Sequence, residues 1–137
     1  MTFLKDDIIR YRLEKAQVTF NEAKSLADGR FWNGAANRLY YSCFYSVIAL
    51  LAKDDFPAST HNGVRTEFFR RYIKTGIFGR DFISLYTDLM GKRQESDYDD
   101  FHNFSEEDIM PLFAEAENFN KTILEFLRSG EKEIEKN

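Results

Sequence analysis

Apolar residues return every three or four positions along most of the chain. In the first segment Ile9, Leu13, Ala16, Phe20, Ala23 and Ala27 fall on one face of a helix. Asp28 and Gly29 follow, and glycine tolerates the left-handed conformation that closes a helix, so the stop is expected there. A second helix, from about Phe31 to Lys53, carries two stripes: Leu39, Cys43, Ser46 and Leu50, and beside them Tyr40, Phe44, Val47 and Leu51. So wide an apolar arc predicts a helix surrounded by others. Asp54, Asp55, Phe56 and Pro57 break it.

A third helix is expected near Thr60, a suitable N-cap, with Val64, Phe68, Phe69, Tyr72 and Ile73 facing inward and Gly76 ending it. The fourth begins near Asp81 and turns Phe82, Leu85, Tyr86 and Leu89 inward. Ser105 with Asp108 three residues later announces the fifth, whose stripe is Ile109, Leu112, Ala116, Phe119, Ile123 and Phe126. Pro111 stands late for that start, so either the helix begins closer to Asp108 or its first turn is distorted. The charged stretch Glu131 to Asn137 reads as a fraying helix end. No strand alternation longer than a few residues, glycine-rich phosphate loop or internal repeat interrupts this pattern. It predicts an all-α, up-and-down bundle of about five helices, four of them long, in a single domain covering residues 1–137.

Composition changes this picture little. A chain of 137 residues, 43% hydrophobic and 31% charged, suits one soluble core. Fourteen phenylalanines and seven tyrosines can fill that core from few elements. The net charge of −4 argues against a general polyanion binder but leaves room for a local basic site. The single cysteine, Cys43, excludes an internal disulfide; with no signal peptide in view, the expected location is the cytoplasm. The longest apolar run, Val47 to Ala52, is far short of the roughly 20 residues that span a bilayer, so no membrane role is expected.

Candidate chemistry centres on Gly91 to Tyr98. Leu85, Leu89, Arg93 and Asp97 recur every four residues, so Arg93 and Asp97 prolong a buried stripe. A buried arginine needs a partner, and Asp97 lies one turn away. Two readings stay open: a structural ion pair that fixes packing, or part of a site. Gly91 leaves space for a backbone or ligand to approach. Asn37 and Tyr41 share a face of the second helix and either line a polar cleft with Arg93 or join a buried hydrogen-bond network. His61 reads as a phosphate contact or as a surface or capping residue. His102 sits in a polar loop; the two histidines have no metal-ligand spacing, and no metal or cofactor is expected. Cys43, amid apolar positions, reads as a core thiol. Arg65, Arg70, Arg71, Lys74 and Arg80, with only Glu67 opposing them, form either a phosphate-binding patch or the solvated side of an amphipathic helix.

The segment Ala35-Ala36-Asn37-Arg38-Leu39-Tyr40-Tyr41-Ser42-Cys43-Phe44-Tyr45 resembles the central helix of the HEPN domain family, the higher-eukaryote and prokaryote nucleotide-binding family. Thr60-His61-Asn62-Gly63-Val64, the element Arg93 to Tyr98, and Phe104-Ser105-Glu106-Glu107 resemble its later motifs in the same order, so the similarity runs from about Glu14 to Leu127. The resemblance implies a HEPN-like bundle that forms a homodimer. It also implies metal-independent RNA cleavage in many members, and a minimal nucleotidyltransferase as partner or antitoxin.

Catalytic members carry a histidine separated from the arginine by four to six residues, and two protomers join such pairs in a cleft. Here Arg93 matches the arginine, but Tyr98 occupies the nearest histidine position, and His102 follows only after eight intervening residues. Histidine exchanges protons near neutral pH, whereas tyrosine titrates near pH 10. That departure favours binding over cleavage.

The residues expected at a catalytic centre are therefore Arg93, Asp97 and Tyr98, and those expected to bind RNA or nucleotide are Asn37, Tyr41 and His61. The competing expectation is a non-catalytic helical interaction or assembly module.

Overall fold

The computed structural model describes residues 2–58, 60–98 and 101–136. Its elements are α1 (Thr2–Asp28), α2 (Trp32–Lys53), α3 (His61–Phe68), a π-helical turn (Phe69–Ile73), α4 (Arg80–Tyr98) and α5 (Glu106–Lys136). All secondary structure among the described residues is helical, and four of the five α-helices are long. No helix there is long and apolar enough to cross a membrane. The expected fraying tail continues α5 to Lys136, while Asn137 lies outside the described residues.

The bundle is organised around α2. Its wide apolar arc is buried, including Leu39, Tyr40, Cys43, Val47, Leu50 and Leu51. α1 runs back along it: Lys5 pairs with Asp55 at 3.2 Å, and Arg12 donates to the carbonyl of Ile48 at 2.8 Å. α5 is pinned to α2 by a buried polar relay. Ser46 donates to Asn120 Oδ1 at 2.8 Å, and Asn120 Nδ2 donates to Ser42 at 3.2 Å. Burial raises the pKa of the Cys43 thiol to about 12, as suits an inert core position.

Both helices of the α1–α2 hairpin stop where expected and close by the same device, but the residue that closes α1 is not the expected glycine. After α1 the Arg30 N–H donates to Ala27 O at 2.9 Å and the Phe31 N–H to Leu26 O at 2.8 Å. These two bonds define a Schellman closure with Arg30, not Gly29, in the left-handed conformation (φ 64°). At Gly29 a Cβ would lie 2.9 Å from the ring of the exposed Phe31, which would have to shift to admit it. After α2 the corresponding left-handed residue is Asp55 (φ 61°), and Phe56 N–H reaches Leu51 O at 3.0 Å. Pro57 then prevents further helix.

Two other local expectations are corrected. Phe69 was expected inward and is instead among the exposed large hydrophobics. The π turn is wider than an α turn, so it delays rotation and brings Tyr72 and Ile73 inward while Phe69 faces out. α5 begins at Glu106, with the Ser105 N–H donating to Asp108 Oδ2 at 2.9 Å. It then continues through Pro111. The proline lies on the exposed side, where water can serve the carbonyl that loses its helical donor.

Candidate functional site

Among the described residues Arg93 is the only buried charged side chain, 6% exposed. Three elements enclose it. From α2, Tyr40 and Tyr41 present their rings, with the guanidinium carbon 5.1 Å and 6.0 Å from the two centroids. From α4 itself, Asp97 Oδ2 lies 3.4 Å from Nη1. From the start of α3, His61 packs on the same Tyr40 ring at 5.6 Å between centroids. Arg93 Nε is buried and has no hydrogen-bond partner. Such a guanidinium is held mainly by aromatic faces and a long ionic contact, which leaves donor capacity in reserve.

Local sequence explains each placement. Thr60 caps α3 by accepting from the Gly63 N–H at 2.9 Å, which fixes His61 as the first helical residue. His61 Nδ1 and the Tyr40 hydroxyl then lie 2.7 Å apart. The imidazole also packs against Phe44 at 5.0 Å and Tyr41 at 5.9 Å. Burial, and then the positive charge of Arg93, lower the His61 pKa from its ordinary value. Burial raises that of Tyr40, with Arg93 opposing. Both groups are accordingly neutral near pH 7.

Asn37 connects the site to its rim. Its Oδ1 accepts from Arg38 Nη2 at 2.8 Å and Nε at 3.0 Å, while its Nδ2 lies 3.5 Å from Asp97 Oδ1. Arg38 stands 5.1 Å from the Tyr41 centroid. Tyr41 is therefore flanked by two guanidiniums, one buried and one accessible. Arg38 also pairs loosely with Glu22 at 3.6 Å.

Five of the six expected site residues thus share one cluster: Asn37, Tyr41, His61, Arg93 and Asp97. Tyr98 closes α4 with its side chain 81% exposed, beyond the buried cluster. Sequence reasoning missed Arg38, Tyr40 and Phe44. The only linear signal was Arg38 three residues before Tyr41, a spacing that stacks side chains on a helix. The Cβ position of Gly91 meets only open space, so no part of the chain makes the close approach that its glycine allows.

The remaining candidates have structural partners. His102 lies 3.4 Å from Glu95 and packs on Phe104 at 4.4 Å, in a loop whose backbone Asn33 binds at both His102 O and Phe104 N. In the basic stretch Arg70 and Arg71 each reach Glu67 at 2.7 Å and lower its pKa to about 2, while Arg65 donates to Thr87 at 2.9 Å. Phe68, Tyr72 and Phe78 are core residues, which favours the amphipathic-helix reading of that stretch. No cluster of three or more metal-ligating side chains occurs among the described residues. A concavity of about 940 Å³ lies elsewhere, between α1 and α5, over Ile9, Leu13, Phe20 and Leu124.

Fold and site together define a helical bundle with a tyrosine-stacked arginine centre. The chain belongs to the HEPN domain family, whose sequence model matches residues 9–128. It is 33% identical over 115 residues to a "UPF0332 protein" of Thermotoga maritima, covering 84% of this chain and 87% of the relative. It is 31% identical over 111 residues to "Putative toxin MJ0142" of Methanocaldococcus jannaschii, covering 80% and 76%. A second protein of that organism, "Putative toxin MJ0605", is 27% identical over 120 residues, covering 88% and 89%.

Proposed function

We propose that the protein is the toxin-type member of a cytoplasmic toxin–antitoxin or related stress system, and that it binds RNA or nucleotide at the Arg93 cluster. The observation that carries this reading is Arg93 itself. A guanidinium buried on two tyrosine rings, with one nitrogen unpartnered and a second guanidinium across Tyr41, is preorganised for a phosphate. Tyr41 adds a partly accessible face on which a base can stack. The toxin names of two relatives support the physiological setting.

The partner we assign is a minimal nucleotidyltransferase, as the family resemblance implies, and the working form is a homodimer. The outer face of α1 supports the dimer: Leu4, Ile8, Tyr11 and Val18 are exposed on one stripe. Lys15 lies over both Tyr11 and Tyr45, and Tyr45 packs on Tyr41, so this stripe is continuous with the rim of the site. Fluorescence anisotropy with a labelled single-stranded RNA and with a mononucleotide tests the binding assignment. Wild-type protein binds at least one of them and Arg93→Met does not; equal binding by both proteins overturns it.

A further inference from the structure

α1 and α5 both pack on α2, and between them they leave the groove of about 940 Å³. None of its lining residues belongs to the Arg93 cluster. Its floor is apolar: Ile9, Leu13 and Ala16 of α1 face Leu124 and Leu127 of α5, with Ser46 of α2 beneath. Towards the C-terminal end of α1 the two walls are joined by Phe20 and Phe113, 5.9 Å between ring centroids. The other end opens between Lys5, Lys53 and Arg128, which the Lys5–Asp55 and Lys53–Phe126 contacts place together. We propose that this groove binds a free long-chain carboxylate, its acyl chain along the apolar floor and its carboxylate at the basic mouth.

Three observations select this occupant. The first is size. Small-molecule sites typically enclose about 300–1,000 Å³, and the groove falls at the upper end of that range. Along α5 its wall runs from Glu117 to Gly130, about 20 Å of helix. A partner helix laid on that length has a volume of about 1,600 Å³, so it would ride on the rim instead of filling the groove. An unbranched alkyl chain is thin enough to lie along the floor. The second is the state of the polar groups. Ser46 and Asn120 at the bottom bond to each other at 2.8 Å, and Gln17 and Asn21 on the α1 wall do so at 3.2 Å. These groups have their partners already, so the surface between the walls suits a chain that offers none.

The third is charge. On the walls Glu14 and Glu117 are balanced by Lys24 and Lys121. At the mouth Lys5, Arg10, Lys53 and Arg128 line the groove, opposed there by Asp6. Asp55, Asp7 and Asp54, which pair with three of these cations, are not part of the lining, and such surface pairs hold weakly. An anionic head therefore meets the cationic side of each pair, whereas a cationic head would meet four like charges. The ligand also has a structural consequence. α1 and α5 hold to each other mainly through α2, so a chain touching both walls adds a direct link between them. Binding to the folded state alone raises its stability by mass action.

The test uses the full chain and dodecanoate below its micelle-forming concentration, in titration calorimetry and thermal melts. Wild type should bind one equivalent saturably and melt at a higher temperature with the ligand present. Octanoate, four methylenes shorter, should bind on the order of 10²-fold more weakly. Dodecyltrimethylammonium, with the same tail and the opposite head, should bind about tenfold more weakly or worse. Lys53→Glu with Arg128→Glu reverses two exposed charges at the mouth and should weaken dodecanoate by about tenfold. Leu124→Trp, on a partly exposed wall position, should fill the floor and abolish binding while the far-UV spectrum stays helical. If Leu124→Trp fails to fold, the double charge reversal decides. No saturable binding of dodecanoate overturns the proposal, as does equal binding of the cationic twin or binding unchanged by the charge reversal. Binding to vesicles of anionic phospholipid but not to free dodecanoate would assign this face to a membrane and also overturns it. All of these measurements are made without RNA, so none of them bears on the Arg93 reading.

Discussion

The Tyr40 hydroxyl and the His61 Nδ1 meet at 2.7 Å across 21 positions of sequence, joining the centre of α2 to the first residue of α3. The contact ties the bundle core to the only ionisable group of the arginine cluster whose ordinary pKa lies near neutrality. It explains why the cluster has a defined shape: Tyr40 is fully buried, so whatever it holds is held rigidly.

His61 should titrate below the usual histidine value of about 6.5. Because the folded pKa is depressed, the unfolded chain binds the proton more readily. The neutral form's contribution to stability is complete above pH 6.5 and is lost as pH falls through the folded value. Urea melts of wild type should weaken on moving below about pH 6.5, and this part of the loss should vanish in His61→Asn. Removing the Arg93 charge in Arg93→Met should move the NMR-measured pKa of His61 upward. A value unchanged by that substitution would show that Arg93 does not act on the imidazole.

The Arg93–Asp97 pair separates a structural role from a binding one. At 3.4 Å, with the Asp97 side chain 34% exposed, it has the character of a loose, partly solvated pair. Asp97→Ala nevertheless leaves the buried Arg93 guanidinium without its ionic partner and is expected to cost about 1–3 kcal/mol in a denaturant melt. Arg93→Met keeps an apolar stem between the tyrosines and should remain folded while losing RNA binding. A cost of about 3–5 kcal/mol for Arg93→Met, partly restored by adding Asp97→Ala, would mark the pair as a structural bridge and sink the binding role.

What the sequence revealed divides along a physical line. Stripes such as Ile9–Ala16–Phe20–Ala23 and Tyr40–Val47–Leu51 were legible because helix-on-helix burial imposes a three-and-four period. Arg93 with Asp97, and Asn37 with Tyr41, were legible for the same reason, since each pair lies on one helix face. The left-handed Arg30 was hidden behind the more obvious Gly29, which stands one residue before it. The outward Phe69 depends on a π turn that no residue type announces. Tyr40, His61 and Arg93 meet only through tertiary packing, and no linear spacing encodes that meeting.

Arg30 carries strain that glycine would relieve. A non-glycine residue in the left-handed region costs roughly 1–2 kcal/mol. Glycine gives back part of that through unfolded-chain entropy, about 0.5–1 kcal/mol. The compensating contacts of Arg30 are weak: Glu106 at 3.7 Å and the Trp32 ring at 5.9 Å. Arg30→Gly should raise stability by up to about 1 kcal/mol in a urea melt. A clear loss would show that the links to Glu106 and Trp32 outweigh the backbone strain.

Asn120 serves two buried hydroxyls at once, Ser42 and Ser46, both essentially inaccessible. Asn120→Ala takes the partner from Ser46 and one from Ser42, which keeps its bond to the Leu39 carbonyl. The expected cost is about 1–3 kcal/mol. The triple change Ser42→Ala, Ser46→Ala, Asn120→Leu removes every polar member and should recover much of the loss. If Asn120→Ala melted like wild type, water from the adjacent α1–α5 concavity would be satisfying those hydroxyls.

The dimer prediction turns on the outer face of α1. Leu4, Tyr11 and Val18 are 59%, 62% and 59% exposed, and with Ile8 they recur at spacings of four, three and seven. This stripe faces opposite the buried Ile9–Ala16–Phe20 row, so nothing within the helix covers it. A lone surface leucine needs no explanation, but an aligned set on one helix is the pattern of a helix–helix contact. Light scattering should therefore give twice the chain mass for wild type. Tyr11→Glu with Val18→Glu places a charge in each half of the seam and should give monomers with an unchanged far-UV helix spectrum. Because the stripe continues through Lys15 and Tyr45 to Tyr41, the same variant should also bind RNA less tightly if the second copy completes the rim. A dimer unaffected by both charges would place the contact on another face of the bundle.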